Sequence, residues 1–294
     1  MPTQKEIRAE LKKLNRQIAD LRKELHVISP KRTRRNYNGV VLYEGPSLID
    51  NEPIVAIATG LIWPSLNRKT GDMVHVWIMR ADTPPVEAFY TDRDKSVCGD
   101  CPLRKDADGN RICYVLLHQA PASVWNNWAK GEYLALSEYP EALSLMSRKA
   151  VRLGAFGDPA ALPYELAMPL IQSSSGVTGY THQWKKDFAL PWRETLQASC
   201  ETEQEAQEAI QAGWHYYRII SDYEQAKKEE IFCPAKTGNT QCATCGLCDG
   251  RSANVVTIVH GRGKRFFRRR FGNEDVVVDV DEQVKSDEED TALW

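Results

Sequence analysis

The sequence predicts an α/β protein with a core of parallel β-α units, an N-terminal helix and a C-terminal β-hairpin appendage. Three observations lead to this fold class: strand-like and helical runs alternate between residues 150 and 233, an apolar heptad repeat precedes them, and two strand-like runs follow them. Of the 294 residues, 42% are hydrophobic and 27% are charged, which is ordinary for a globular chain and argues against a disordered or fibrous one.

Residues 1–29 are predicted to hold an amphipathic helix. Between residues 4 and 27, apolar side chains recur at alternating steps of four and three; they are Ile7, Leu11, Leu14, Ile18, Leu21 and Leu25. This is the period of a coiled-coil seam, so the helix either mediates self-association or packs on its own protein. Pro30 ends the helix, and a basic linker is predicted for residues 30–49.

Residues 50–252 are predicted to form a cysteine-rich α/β core. Two buried strands, within 53–63 and 73–79, and a helix within 121–136 come first. After them the strands and helices alternate regularly; the predicted strands are 150–157, 177–180, 195–200, 214–220 and 229–232, and the predicted helices are 159–174 and 201–213. Such alternation is typical of parallel strands joined by right-handed crossovers.

Residues 253–281 are predicted to form a basic β-hairpin region, followed by an acidic tail at 282–294. Strand-like runs at 254–261 and 275–280 flank a block in which phenylalanines alternate with cations; the cations are Lys264, Arg265, Arg268, Arg269 and Arg270. Cations track phosphates and aromatic faces accept bases, so the block predicts a nucleic-acid partner. The alternatives are that the acidic tail binds the basic block within the same chain, or that the block is a solvated surface.

Reactive side chains follow successive predicted strands. Asp158, Thr181 with His182, Cys200, Asp222 and Cys233 each end or follow one strand. The carboxyl ends of parallel strands lie at one edge of a sheet or barrel, so these groups are expected to share one rim. His182 has a pKa suited to proton transfer, and Asp158 is a candidate catalytic acid or base whose alternative role is to cap the next helix. Arg152, in the strand before Asp158, is expected to face the interior and to pair with it.

The chain has eight cysteines, and they form two dense groups. No apolar run approaches the ~20 residues of a membrane helix, and the N-terminus lacks the apolar stretch of a signal peptide. We therefore expect no membrane partner and a cytoplasmic location. In a reducing compartment such groups bind metal more often than they form disulfides.

The first cysteine group spans residues 233–248. Cys242, Cys245 and Cys248 form C-x2-C-x2-C, and Cys233 lies upstream. Ferredoxin-like sequences use this spacing for iron–sulfur ligands, so a [4Fe-4S] cluster is favoured, while four thiolates also suit zinc.

The second group consists of Cys98, Cys101 and Cys113. Three thiolates leave one coordination position for Cys200, for His118, or for a substrate or cofactor, as catalytic metal sites do. The alternative is an isolated C-x2-C turn beside an unrelated buried Cys113.

Four segments together resemble an uncharacterised cysteine-rich family encoded by phages and plasmids; they are "SVCGDCPLRKDADGNRICYV", "VRLGAFGDPAALPYELAMPLI", "GYTHQW" and "FCPA" with "CATCGLCDG". The resemblance covers residues 90–250 and implies a partial parallel α/β barrel similar to that of radical-SAM enzymes, with an iron–sulfur cluster. It also makes Arg152, Tyr180 and Thr181 candidate cofactor-binding residues. A host-cell cytoplasmic location follows if a phage encodes the chain.

The chain departs from radical-SAM enzymes in one respect, since the C-x3-C-x2-C motif of those enzymes is absent. Of the two groups, Cys98, Cys101 and Cys113 are the better candidates for binding S-adenosylmethionine, because three ligands leave one iron open. The function predicted is an iron–sulfur, radical-SAM-like protein acting on nucleic acid or a nucleotide. The alternative is a non-catalytic, zinc-stabilised nucleic-acid-binding protein.

Overall fold

A computed structural model describes residues 37–65, 67–238 and 240–272, together with Gln17, which is helical and exposed. The rest of the predicted helix at 4–27, the strand-like run at 275–280 and the acidic tail lie outside the described residues. The described chain is a mixed α/β structure with two sheets.

The first sheet contains six strands in the order β4-β1-β2-β3-β5-β6. The strands are β1 (Gly39–Pro46), β2 (Pro53–Thr59), β3 (Met73–Arg80), β4 (Leu134–Ala135), β5 (Ala150–Phe156) and β6 (Gly176–Thr178). β2 runs antiparallel to both of its neighbours, whereas β3, β5 and β6 are mutually parallel. All eight residues of β3 are buried, as expected of a central strand that is covered on both faces.

The second sheet contains five parallel strands in the order β10-β11-β9-β8-β7. They are β7 (Tyr180–Thr181), β8 (Gln197–Cys200), β9 (Tyr216–Ile220), β10 (Ile231–Phe232) and β11 (Val255–Ile258). Gly179 alone separates β6 from β7. Its backbone N–H donates to Cys248 O and its carbonyl accepts from Gln197 N, so the chain passes from one sheet to the other within a single residue.

The helices fill the connections between strands. They are α1 (Pro85–Tyr90), α2 (Lys95–Cys98), α3 (Ala120–Ala129), α4 (Glu141–Met146), α5 (Tyr164–Ser173), α6 (Glu203–Gln211), α7 (Cys242–Cys245) and α8 (Lys264–Phe271), with 3₁₀ turns at Pro159–Ala161, Asp187–Trp192 and Tyr223–Gln225. The main apolar core lies between the sheets and these helices, and Trp192, Met146 and Leu170 are among its fully buried side chains. The part of the chain that is described has no helix long and apolar enough to cross a membrane.

Two predicted segments differ from the structure. Residues 39–46 form β1, so the linker predicted for 30–49 is wrong for that stretch; the run "GVVLY" pairs with β2 and buries its first three residues. The C-terminal β-hairpin is also wrong. β11 lies between β9 and β10 and parallel to both, and the basic block is the helix α8, whose Phe267 and Phe271 rings contact each other one turn apart at 4.9 Å.

Candidate functional site

A large cavity lies at the carboxyl ends of the parallel strands. It contains about 1120 Å³ of empty space, counted out to its open mouth. Strands of both sheets line it. The lining residues from the strand ends are Phe156 at the end of β5, Gly157 and Asp158 after it, His182 after β7, Ser199 in β8, Ile219 in β9, and Val259 and His260 after β11. The expectation that the strand ends share one rim is therefore met for Asp158 and His182.

Three cysteines line this cavity from the loop that begins at α2. Cys98 ends α2, Cys101 follows it by one turn, and Cys113 is held by its backbone N–H, which donates to Leu103 O at 2.7 Å. Burial, the neighbouring Cys101 and Asp94 together hold the pKa of Cys98 well above its ordinary value. The three cysteines of the second predicted group thus line the same cavity, and Cys101 lies beside His182.

One ring nitrogen of His182 lies near both a carboxylate and a thiol. Nε2 lies 2.9 Å from Glu201 Oε1 and 3.8 Å from Cys101 Sγ. Burial opposes the charged ring, but Cys101 and the Glu201 carboxylate outweigh it and hold the pKa of His182 well above its usual range. Glu201 is 1% exposed at its side chain, so the pair lies away from water.

Asp158 holds the neighbouring strand ends together. Its Oδ1 accepts from Ala160 N at 3.0 Å, which caps the 3₁₀ turn, and its Oδ2 accepts from His182 N at 2.8 Å. Burial raises the pKa of its carboxyl, and the Thr181 hydroxyl and His182 oppose that rise. Asp158 therefore performs the capping role and at the same time positions His182.

Arg152 is a buried cation between the strands. Its Nη2 donates to Tyr114 Oη at 2.9 Å and its guanidinium lies over the Tyr180 ring, 5.4 Å from the centroid. Among the described carboxylates none forms an ion pair with it, so the predicted pairing with Asp158 is not formed. Burial disfavours the charge of Arg152, but Tyr114, Tyr180 and Cys242 favour it and raise its pKa.

The four cysteines of the first predicted group line a second, smaller cavity with about 370 Å³ of empty space. Cys242 and Cys245 are the ends of α7, and Cys233 and Cys248 lie on either side of that helix in the sequence. The N–H groups of Cys242 and Ala243 donate to the carbonyls of Lys69 and Thr70, which anchors α7 to the loop between β2 and β3. Burial raises the pKa of Cys248 to about 12, against a hydrogen bond from Tyr180.

The two cavities are neighbours. Lys69 and Tyr180 line both of them. The Tyr180 and Tyr217 rings contact each other, with centroids 4.4 Å apart. A ligand in the large cavity and a group held by the four cysteines would therefore share a wall.

No three His, Cys, Asp or Glu side chains in the described ranges are grouped closely enough to hold one metal ion as they stand. No family model, curated protein or solved structure matches the chain.

Some predicted residues lie elsewhere. Cys200 is fully buried in the main core, outside both cavity linings, with Sγ 3.7 Å from Ala198 O. His118 is exposed, and Asp222 caps a 3₁₀ turn at the surface. Thr181 does not line the large cavity, and its hydroxyl accepts from Gln183 N. Neither Cys200 nor His118 is thus among the groups that line the cavity with Cys98.

The structure also adds residues that the sequence patterns did not indicate. Glu201 pairs with His182, and Tyr114, Tyr217 and Arg111 line the large cavity. Glu201 directly follows a predicted strand, which was a usable signal. Tyr114 follows Cys113 in the sequence but lies on no regular element, so no periodicity pointed to it.

The basic block borders the large cavity. Phe267 of α8 is buried against Leu103 and Ile112 and forms part of the cavity wall. Arg269 Nη1 lies 3.4 Å from Asp108 Oδ2, and Arg270 Nη1 donates to Pro102 O at 2.8 Å. Lys264 and Arg268 are half-buried, whereas Arg265, Arg269 and Arg270 are exposed.

Proposed function

We propose that the chain is an iron–sulfur protein of radical-SAM-like type, and that its two sheets together form a partial parallel α/β barrel. The continuous parallel run supports the barrel: β3, β5 and β6 are followed across Gly179 by β7, β8, β9, β11 and β10. Side chains of both sheets line one cavity, as the inward-facing residues of a closing sheet do.

The observation that carries the proposal is the set of four thiols around one small cavity beside a buried cation. A buried guanidinium without a carboxylate partner is costly unless another anion compensates it. Arg152 favours the thiolate forms of Cys242 and Cys248, although burial outweighs it and the net pKa of both thiols is raised. Iron–sulfur clusters are held by four such thiolates. The donor set of Cys233, Cys242, Cys245 and Cys248 therefore fits a [4Fe-4S] cluster.

Cys98, Cys101 and Cys113 supply three thiols to the large cavity. In this proposal they hold a second centre with one open position, where S-adenosylmethionine is the expected cofactor. An iron–sulfur centre supplies one-electron chemistry when it is bound. Around it, Arg152 offers N–H donors to an anionic group, and Asp158 fixes the backbone of His182.

His182 is the group most suited to hold or move a proton in this cavity. Its Nε2 lies within hydrogen-bond distance of Glu201, and the buried carboxylate orients the ring. Tyr180, on the wall between the cavities, presents its ring to Arg152. We propose a nucleic acid or nucleotide as substrate and a cytoplasmic protein, within a host cell if a phage or plasmid encodes it.

The first test compares two cysteine variants after anaerobic purification. The wild-type protein is expected to be brown and to contain iron and acid-labile sulfide. Cys245→Ala removes a proposed ligand and should lose visible absorbance and iron, while Cys200→Ala changes a core thiol and should retain both. A colourless wild-type protein, or equal absorbance in both variants, would contradict the proposal. A Cys113→Ala variant that loses only part of the iron would support two centres.

A zinc-stabilised nucleic-acid-binding protein is the second candidate. It is favoured by the same four thiols, which suit tetrahedral zinc, and by the exposed cations of α8. Metal analysis separates the two candidates, since the zinc protein would be colourless and would contain no sulfide.

A further inference from the structure

The wall that α8 contributes to the large cavity has two different faces. Phe267 faces inward and packs with Leu103 and Val259, and its ring is almost fully buried. The side away from Phe267 presents Arg265 and Arg269 to solvent, and Arg262, just before the helix, and Arg270 are also exposed. Even Arg269, which pairs with Asp108, keeps 75% of its side chain exposed. Exposed cations therefore lie on the outer side of a helix that forms part of the cavity wall.

The enclosed space is lined by rings. Tyr180 and Tyr217 lie 4.4 Å apart between centroids, and Tyr114 lies 5.0 Å from the ring of His260. Phe156 and Phe267 complete the aromatic lining. Cavities lined by rings accept flat heterocycles by stacking, with a few polar groups to fix their orientation. Arg152 and His182 are polar groups of that kind within the lining.

Cations beside aromatic cavities are the combination that binds unpaired nucleotides, because phosphates follow the charges and bases stack on the rings. We propose that the protein binds single-stranded nucleic acid with its phosphates along α8 and one base unstacked into the large cavity. The proposal rests on the proposed function, whose substrate class it narrows. A base inside a duplex is excluded, since it cannot reach an enclosed cavity without leaving its stack.

Binding along α8 is tested with a fluorescent single-stranded oligothymidylate and fluorescence anisotropy over a range of salt concentrations. The double variant Arg262→Gln/Arg265→Gln should bind roughly tenfold more weakly, and the slope of log affinity against log salt should fall by about 1.4, at ~0.7 for each phosphate that the variant no longer neutralises. The control is Arg148→Gln/Arg193→Gln, which removes the same charge. These two exposed arginines precede β5 and β8, at the amino ends of the strands.

Equal reductions in affinity in the two double variants would overturn the proposal, because the effect would then depend on net charge alone. A higher affinity for a double-stranded oligonucleotide than for the single strand would also overturn the proposal. So would binding of a free nucleoside monophosphate with the strand's affinity, since α8 would then add nothing. Visible absorbance should be unchanged in both variants, so a loss of strand binding from a brown protein is distinct from failure of the iron–sulfur proposal.

The position of the base is tested by photocrosslinking. A strand with iodouracil at one position is irradiated in complex with the full chain, and the crosslinked peptides are identified by mass spectrometry. Crosslinks to peptides holding Tyr114, Tyr180 or Tyr217 are expected. Crosslinks confined to α8 would show that the strand stays outside the cavity and would overturn the base-binding part.

Discussion

At the scale of single residues, the position of His75 beside the buried cation Arg152 disfavours a charge on the His75 ring. The two residues are directly opposite each other on β3 and β5, and both are buried. Burial, and secondarily the charge of Arg152, lowers the pKa of His75 to about 4. His75 is therefore neutral in the folded protein above about pH 4.

This pair predicts a pH-dependent stability. Below about pH 6.5 the unfolded chain protonates His75, whereas the folded chain resists protonation until about pH 4. The unfolded state then binds more protons, so the free energy of unfolding falls as the pH falls through that window. At ~1.4 kcal/mol for each pKa unit, His75 accounts for about 3 kcal/mol of the loss. Urea unfolding at pH 7 and pH 4.5 measures it.

His75→Gln is the control for that measurement. Glutamine cannot be protonated in this range, so the variant should lose about 3 kcal/mol less than the wild type between the two pH values. An identical pH dependence in both proteins would show that other groups cause the acid sensitivity.

The alternation of side chains along β8 explains why Cys200 does not lie at the rim, where the sequence pattern predicts it. Successive side chains of a strand point to opposite faces. Ser199 lines the large cavity, so Cys200 points the other way, into the core with Ala206 and Ala209. The same alternation puts Arg152 in the cavity and Val151 in the core. Periodicity located the strand end correctly, and the alternation of polar Gln197 and Ser199 with apolar Ala198 and Cys200 was a usable signal for the side that Cys200 faces.

At the scale of elements, the start of α6 orders the candidate site. Thr202 Oγ1 accepts from Glu205 N at 3.1 Å, and Glu205 Oε2 accepts from the N–H groups of Glu201 and Thr202. This capping box closes the helix directly beside the Glu201 carboxylate that contacts His182. The cap therefore stabilises the helix and restrains Glu201, the partner of His182.

Removing the cap is expected to weaken the protein modestly. Thr202→Ala should lower the free energy of unfolding by about 1 kcal/mol, because the N–H of Glu205 loses its acceptor. Thr202→Ser keeps a hydroxyl at the same place and should retain most of the stability. Chemical denaturation of both variants gives the comparison, and equal stability of the alanine and serine variants would show that the hydroxyl contributes nothing.

Several apolar or amphipathic elements were predictable, whereas β1 and α8 were not. β2, β5, α5 and α6 lie within their predicted segments, and β3 extends one residue beyond its own, to Arg80. β1 was not predictable because it directly follows a basic run and has polar residues in its second half. α8 resembles part of a hairpin because its cations are consecutive, but the Phe267–Phe271 spacing of four residues was a helical signal that the charges obscured.

At the scale of the whole molecule, Gly179 is the joint between the sheets. A Cβ built on it would lie 2.5 Å from Leu196 Cδ2 and 3.1 Å from Leu153 O. Both leucines are buried, so neither has room to retreat. Close packing at this point requires glycine and keeps the two sheets in one continuous parallel run.

A matched pair of glycine variants tests the joint. Gly179→Ala should destabilise the protein by about 1–3 kcal/mol, the usual range for overpacking a core. Gly176→Ala adds the same methyl group three residues earlier in the chain, where nothing lies within 4 Å, and should change stability little. Thermal unfolding of both variants measures the difference. A near-neutral Gly179→Ala would show that the joint is loose.

The order of parallel units was predictable at this scale, and the insertion of β11 between β9 and β10 was not. Two-residue β10 carries too little pattern to reveal which strand it pairs with. The contact between Cys101 and His182 depends on the tertiary structure. Spacing identified the cysteines, but only the fold brought the histidine to them.

The partition made by Lys69 and Tyr180 has a consequence for how such a protein can be altered. Each of these side chains lines both the large cavity and the smaller one, so neither cavity can be altered alone at these two positions. Directed evolution for a new ligand in the large cavity is expected to change the cavity lined by the four cysteines whenever it substitutes Lys69 or Tyr180. A substitution at either position therefore changes both cavities at once.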